Sequence, residues 1–166
     1  YSASALINSY LDFFDHNPRF TELIKLFDPC YLTLDINASI EKIIDVRQTK
    51  NIKDDATPAL AKIRHDIRQT RQKINRNFDR ELRRLLKEGF LAETHESFIA
   101  NRRVLSVQST YKRRVPGSIL GTSKTGSLTF IEPKVNEPLS YELDCLLDDE
   151  RSEMYRILKG LTHTIR

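Results

Sequence analysis

The side chains able to do chemistry fall into four groups, and only one has a pattern that supports a role. Gly121-Thr122-Ser123-Lys124-Thr125-Gly126-Ser127 has the look of a phosphate loop. The residue after its second glycine is Ser127, where such a loop needs lysine, and no helix start follows to receive a phosphate. A β-turn is the expected structure. The four histidines, His16, His65, His95 and His163, fall in separate segments, none four residues from another, so no metal site is expected. Asp144, Asp148, Asp149 and Glu153 are interleaved with Arg151 and Arg156, the pattern of a solvated helix face. No Ser/His/Asp or Cys/His arrangement can be assembled, so no catalysis and no cofactor are expected within this chain. The fourth group is basic: Arg83, Arg84 and Lys87, then Arg102 and Arg103, then Lys112, Arg113 and Arg114, then Lys124.

These cations belong to a block of one sign. Residues 1–46 hold 3 Lys/Arg against 7 Asp/Glu (3 − 7 = −4), residues 47–114 hold 18 against 8 (18 − 8 = +10), and residues 115–166 hold 6 against 8 (6 − 8 = −2). A basic block is the electrostatic footprint of a polyanion partner, although a Lys/Arg-rich helix can also be a plain solvated face. A mean hydropathy of -0.48 with 30% charged residues suits long helices with large wet faces. No apolar run approaches the ~20 residues of a membrane span. Tyr1-Ser2-Ala3-Ser4-Ala5 has neither the basic start nor the apolar core of an export signal. Cys30 and Cys145 form no CxxC pair, so a cytoplasmic home is expected. The lack of an initiator Met, and of any stop signal before Arg166, leads us to expect a piece of a longer protein.

The scaffold for these cations can be read from periodicity. Apolar residues at helical spacing over 3–16, ending at Asn17-Pro18, predict a first helix, and a short one follows through Phe20–Phe27. A third is expected from Asn37 as N-cap, with Ile40, Ile43 and Ile44 inward. Residues 47–56 read as a connection. Thr57-Pro58 is an N-cap with proline at the first helical position. From there Leu60, Ile63, Ile67, Thr70, Ile74, Phe78, Leu82 and Leu85 recur at steps of three or four until Gly89, a C-terminal cap. So long a helix with one narrow stripe wants a single antiparallel partner, supplied from Asn136 onward by Leu139, Leu143, Leu147, Met154, Leu158, Leu161 and Ile165. Between the two helices the period falls to two. Phe98–Ala100 and Val104–Tyr111 predict a hairpin with Asn101-Arg102-Arg103 as its turn, and residues 118–120 and 128–131 flank a second turn at 121–127. Helix end and turns would bring the basic clusters to one end of the molecule, there to track phosphates without reading bases. The bland alternative is charge that keeps an exposed tip soluble and guards sheet edges. The fold class is mainly α (α+β): long antiparallel helices with a small antiparallel β subdomain inserted between them.

Three runs carry a resemblance: Asn101-Arg102-Arg103-Val104-Leu105-Ser106-Val107, Tyr111-Lys112-Arg113-Arg114-Val115-Pro116-Gly117, and Thr125-Gly126-Ser127-Leu128-Thr129-Phe130-Ile131-Glu132-Pro133. Together they resemble the core of the MutS paralogue group that lacks the mismatch-reading domain and often carries an Smr nuclease tail. Residues 54–64 are similar to that family's entry into its long helix, and the resemblance extends over roughly 27–166. It implies core helices and a first lever helix over 1–96, a small clamp over 97–133 and a returning lever helix over 134–166. It also implies a parent that dimerises around branched or duplex DNA, with ATP and Mg held in a separate P-loop ATPase. Arg102, Lys112, Arg113 and Arg114 fall on the family's basic motif. The chain departs from the pattern at Arg103, Ser106 and Gln108, where the family usually has Tyr, Pro and Lys, and at Leu120-Gly121-Thr122, where it usually has His-Asp-Gln. Two further readings stand beside DNA binding: an RNA- or ribosome-contacting clamp in ribosome rescue, and a structural coiled-coil arm for dimerisation with incidental charge.

Overall fold

The computed structural model describes residues 2–17, 19, 21–27, 34–46 and 51–165. They form α1 (Ser2–Asp15), α2 (Thr21–Phe27), α3 (Leu34–Ile43), α4 (Pro58–Glu88), β1 (Leu91–Ile99), β2 (Arg102–Gln108), β3 (Gly117–Thr122), β4 (Leu128–Pro133) and α5 (Glu137–Ile165). The fold is thus mainly α with a small antiparallel sheet between two long helices, the expected class. Cys30, Pro18, Phe20 and Arg166 lie outside the described residues. No described helix is long and apolar enough to cross a membrane. The chain divides into two units, residues 1–61 with 152–166, and residues 62–151.

In the first unit α1 ends where Asn17 was expected to stop it. Asn17 Nδ2 donates to the Phe13 carbonyl (2.8 Å), and His16 Nδ1 lies 2.7 Å from the Asp12 carbonyl, satisfying groups that the helix end would orphan. The third helix begins at Leu34, so Asn37 lies inside it and is not its N-cap. Ile36 shares the spacing of Ile40 and Ile43, which carries the apolar repeat back one further turn. The expected connection holds a short pairing, Ile44 opposite Ile52, closed by Asp45 N–H to the Asn51 carbonyl (2.9 Å); residues 47–50 lie outside the described residues. Thr57 caps α4 as expected, its Oγ1 accepting from Leu60 N–H at 3.0 Å. The same hydroxyl donates to Glu153 Oε1 (2.8 Å), so a carboxylate of α5 sits at the positive end of α4. Arg156 holds that carboxylate through two bonds of 2.7 Å. These contacts keep the Glu153 carboxyl at about 2, well below the usual range, with Arg156 the largest cause and Thr57 the next.

The second unit is the one that carries the basic residues. Phe78, Leu85, Leu91, Leu105, Val107, Val115 and Ile131 make its core, where each large side chain contributes about 1.5–3 kcal/mol. Gly89, at φ 71°, ends α4 in a left-handed turn: its N–H reaches the Leu86 carbonyl and Phe90 N–H the Leu85 carbonyl, both at 3.3 Å. Phe90 then packs against the core cluster that holds Leu85, the apolar contact this cap favours.

The sheet runs β1-β2-β4-β3, every pair antiparallel. The first hairpin turns at Ala100-Asn101, both with positive φ (48° and 61°), the two-residue turn that matches strand twist. The turn expected at Asn101-Arg102-Arg103 is therefore one residue early, and both arginines belong to β2, opposite Ile99 and Phe98. β1 also begins seven residues before the expected strand, because Glu93, Thr94 and His95 lie on an exposed, bulged edge that shows no alternation. Register shifts in β1 and β3 let the two edge strands approach: a Cβ at Gly121 of β3 would lie 3.2 Å from Ile99 Cδ1 of β1. This curl explains why Val104, Leu105, Ser106 and Val107, four in succession, are all buried. At Gly117 a Cβ would sit 2.0 Å from the Glu132 carbonyl oxygen, so only glycine fits.

Within this unit α5 returns antiparallel to α4. Asn136 Nδ2 donates to the Ile74 carbonyl (3.1 Å), and Arg64 Nε to Glu150 Oε1 (2.7 Å), an ion pair between the two helices.

Candidate nucleic-acid interface

The basic residues occupy two ends of the β2 strand, and the strand's seven residues hold those ends apart by about 20 Å at 3.3 Å per residue. One end is closed by ion pairs. Arg102 bridges β4 and α5, with Nη1 on Glu132 Oε2 (2.9 Å) and Nη2 on Asp144 Oδ2 (2.6 Å). Its guanidinium pKa is raised, first by the hydrogen bond to Glu132. Glu132 itself is buried and also accepts from Ser140 Oγ. Arg103 ties α4 to β1 through Asp79 (2.8 Å) and Glu96 (2.6 Å) and lies 4.2 Å over the Phe78 ring. Both arginines are thus neutralised by carboxylates of the fold itself. A cleft of about 320 Å³ opens beside them, walled by Ile74, Phe98, Leu143 and Leu147.

At the other end the chain leaves β2 into a 3-10 turn, Ser109–Tyr111. Two anchors fix the segment beyond that turn. The Tyr111 ring stacks on Phe90 at 4.9 Å, and Arg114 lies 5.9 Å from the Phe90 centroid on the same aromatic pair. The buried Val115 then pins the chain to the core, so Lys112, Arg113 and Arg114 stand exposed between the two. The 123–127 loop is held to the same place: Ser109 N–H donates to the Ser127 carbonyl (2.9 Å) and Ser109 Oγ to the Gly126 carbonyl (2.7 Å). Gly126, at φ 70°, tightens that loop, and Lys124 projects from it, exposed. The loop is a turn between β3 and β4, as expected. Its hydroxyls bond one another (Thr125 Oγ1 to Ser127 Oγ, 2.7 Å) and its backbone (Leu128 N–H to Ser123 Oγ, 3.1 Å).

Phe90, just past the end of α4, packs on this segment, and Arg83 and Lys87 are exposed on the last turns of that helix. Arg84 is spoken for by Glu81 (2.8 Å) and Glu88 (3.0 Å), which raise its pKa, the Glu81 hydrogen bond most. Among the described residues, Arg83, Lys87, Lys112, Arg113 and Lys124 have no carboxylate within ion-pair distance. Of the nine expected residues, Lys112, Arg113, Arg114 and Lys124 stand exposed on this anchored segment and its neighbouring loop, and Arg83 and Lys87 are exposed on the last turns of α4. Arg84, Arg102 and Arg103 do not share that availability. The expectation that all the clusters lie at one end is corrected by the length of β2 and by the two-residue hairpin turn, which carries Arg102 and Arg103 to the far end. Among the described residues no group of three or more His, Cys, Asp or Glu is placed to hold a metal ion.

No protein-family model matches the chain. Over 158 residues, 93% of its length, it is 35% identical to a protein named endonuclease MutS2 from Streptococcus mutans. Proteins of the same name from Streptococcus gordonii (30% over 161 residues, 97% of the chain) and Streptococcus suis (29% over 164 residues, 95%) are also similar to it. The chain spans about 20% of the length of each of these relatives. This similarity, covering nearly the whole chain, supports the MutS-type resemblance of the sequence.

Proposed function

We propose that this chain is the core-and-clamp segment of a MutS2-type cytoplasmic protein and grips the backbone of branched or duplex DNA without reading bases. The observation that carries this reading is the exposure of six cations, Lys112, Arg113, Arg114 and Lys124 on the anchored segment and loop and Arg83 and Lys87 on the last turns of α4, none with a carboxylate partner among the described residues. Each such contact with a phosphate releases condensed counterions, so the grip weakens steeply as salt rises. Arg113 and Arg114 offer planar forks suited to phosphate oxygens, and Lys112 and Lys124 offer point charges. Contacts of this kind set position along a duplex and leave sequence unread. The aromatic stack under Arg114 and the hydroxyl-bonded loop under Lys124 hold the cations in place before DNA arrives, which lowers the ordering cost of binding.

In the longer protein, two copies closing together would add avidity to a weak single contact. ATP and Mg belong to an ATPase segment outside these residues, and this chain's contribution is grip. Arg84, Arg102 and Arg103 are assigned instead to holding the unit together. The test replaces Lys112, Arg113, Arg114 and Lys124 with Glu in the longer protein and measures retention on a DNA junction. Loss of retention with the fold intact is the expected result, and unchanged retention refutes the reading. Competition of the unsubstituted protein between junctions and ribosomes decides the polyanion, and preference for the ribosome would transfer the same surface to RNA.

A further inference from the structure

α4 carries a feature that the tip alone does not use. Lys73, Arg76, Arg80, Arg83 and Lys87 are spaced 3, 4, 3 and 4 residues apart, and all five are exposed. At about 100° per residue they share an arc of roughly 80°, in which no other residue between 73 and 87 falls. That arc lies on the side of the helix away from the buried Phe78 and Leu85. The helix has acids, but off this face: Asp79 is paired with Arg103, and Glu81 and Glu88 with Arg84. Among the described residues none of the five has a carboxylate within ion-pair distance. Like charges three or four residues apart on a helix repel, so this arrangement disfavours α4 along most of the row, with the negative helix end offsetting it only in the last turn at Lys87. An ordinary solvated face would intersperse the acids. The ridge runs about 21 Å at 1.5 Å per residue and ends on the last turn of α4, three residues before the Phe90 that packs on Tyr111. Along a duplex that length covers about six base pairs, or about twelve phosphates.

We infer that the solvent face of α4 is a phosphate-binding ridge along which a nucleic-acid duplex lies, extending the grip from the tip by some four helical turns. The inference rests on the proposed backbone grip, and its test separates the two. Binding of the chain to a 30-base-pair DNA duplex, and to the RNA duplex of the same sequence, is measured across a salt series. The ridge variant Lys73→Gln, Arg76→Gln, Arg80→Gln leaves the tip intact. The tip variant is Lys112→Gln, Arg113→Gln, Lys124→Gln. A control, Lys134→Gln, Arg151→Gln, Lys159→Gln, removes the same charge elsewhere, and circular dichroism checks that each variant is folded. The ridge variant is expected to bind more weakly and to lower the log–log salt slope by about 2–3, at about 0.9 per lost phosphate contact. The control is expected to keep the unsubstituted slope. A ridge variant with the unsubstituted slope and affinity, or a control that loses as much, overturns the ridge. If the tip variant alone loses binding, the backbone grip stands and the ridge falls. If neither variant changes binding, or the unsubstituted chain binds neither duplex at low salt, both fall. Loss confined to one duplex identifies DNA or RNA as the source of the phosphates.

Discussion

Replacing Arg102 with alanine should damage the fold and spare the grip. Glu132 is buried with a side-chain exposure of 3%, and its two oxygens are satisfied by Arg102 and Ser140. Removing the guanidinium leaves a buried carboxylate with half its partners, and also unties Asp144 of α5. Breaking a fully buried pair from one side costs about 3–5 kcal/mol. Arg102 is 34% exposed, so water partly replaces it, and a loss of about 2–3 kcal/mol is expected. For a chain of this size that lowers the melting temperature by roughly 5–10 °C. Thermal unfolding of the variant and the unsubstituted chain at pH 7 reads the loss. The double variant Arg102→Met, Glu132→Gln should recover most of the loss. Equal melting temperatures, or a double variant no more stable than Arg102→Ala, would refute the reasoning.

Three other outcomes are expected. Thr57→Ala should remove the α4 cap at about 1 kcal/mol, and NMR should show the Glu153 carboxyl titrating above its present value of about 2. Because that pKa is depressed, the associated stability is present above the ordinary carboxyl range, near 4.5, and is lost as pH falls towards 2. Gly117→Ala should open the β3–β4 pairing, since its Cβ would sit 2.0 Å from the Glu132 carbonyl oxygen. Slower-exchanging amides at Ser118 and Ile119 in the variant would contradict this. Lys73→Gln with Arg76→Gln and Arg80→Gln should raise the chain's resistance to urea by several tenths of a kcal/mol in low salt, as each like-charge neighbour costs about 0.2–0.5 kcal/mol. No gain in low salt would mean that the ridge is not strained.

The long helices were legible because their signals are local. Thr57-Pro58 and Gly89 bound α4 at the residues where the cap bonds form, and the stripe of Leu60, Ile67, Phe78 and Leu85 is its buried face. The sheet was legible where strands alternate or are buried, as in β2 and β4. It was not legible over residues 91–97, because a bulged polar edge strand has no period to read. The tip was half legible. Composition marks nine cations, but which of them already hold a carboxylate depends on pairings between distant residues, such as Arg102 with Glu132 and Arg103 with Asp79. No spacing rule reveals those. The ridge was legible in principle: the 3-4-3-4 recurrence from Lys73 to Lys87 stands in the sequence, masked by the stronger apolar stripe of the same helix.

The most direct measurement tracks the side-chain Nε–H signals of the arginines by NMR while the 19.3 kDa chain is titrated with a short DNA duplex. Arg83, Arg113 and Arg114 should move with the duplex and return on adding salt, while Arg102 and Arg103 stay in place in their ion pairs. Movement of Arg102 and Arg103 without Arg113 and Arg114, or no movement of any, would contradict a grip built on the far end of β2.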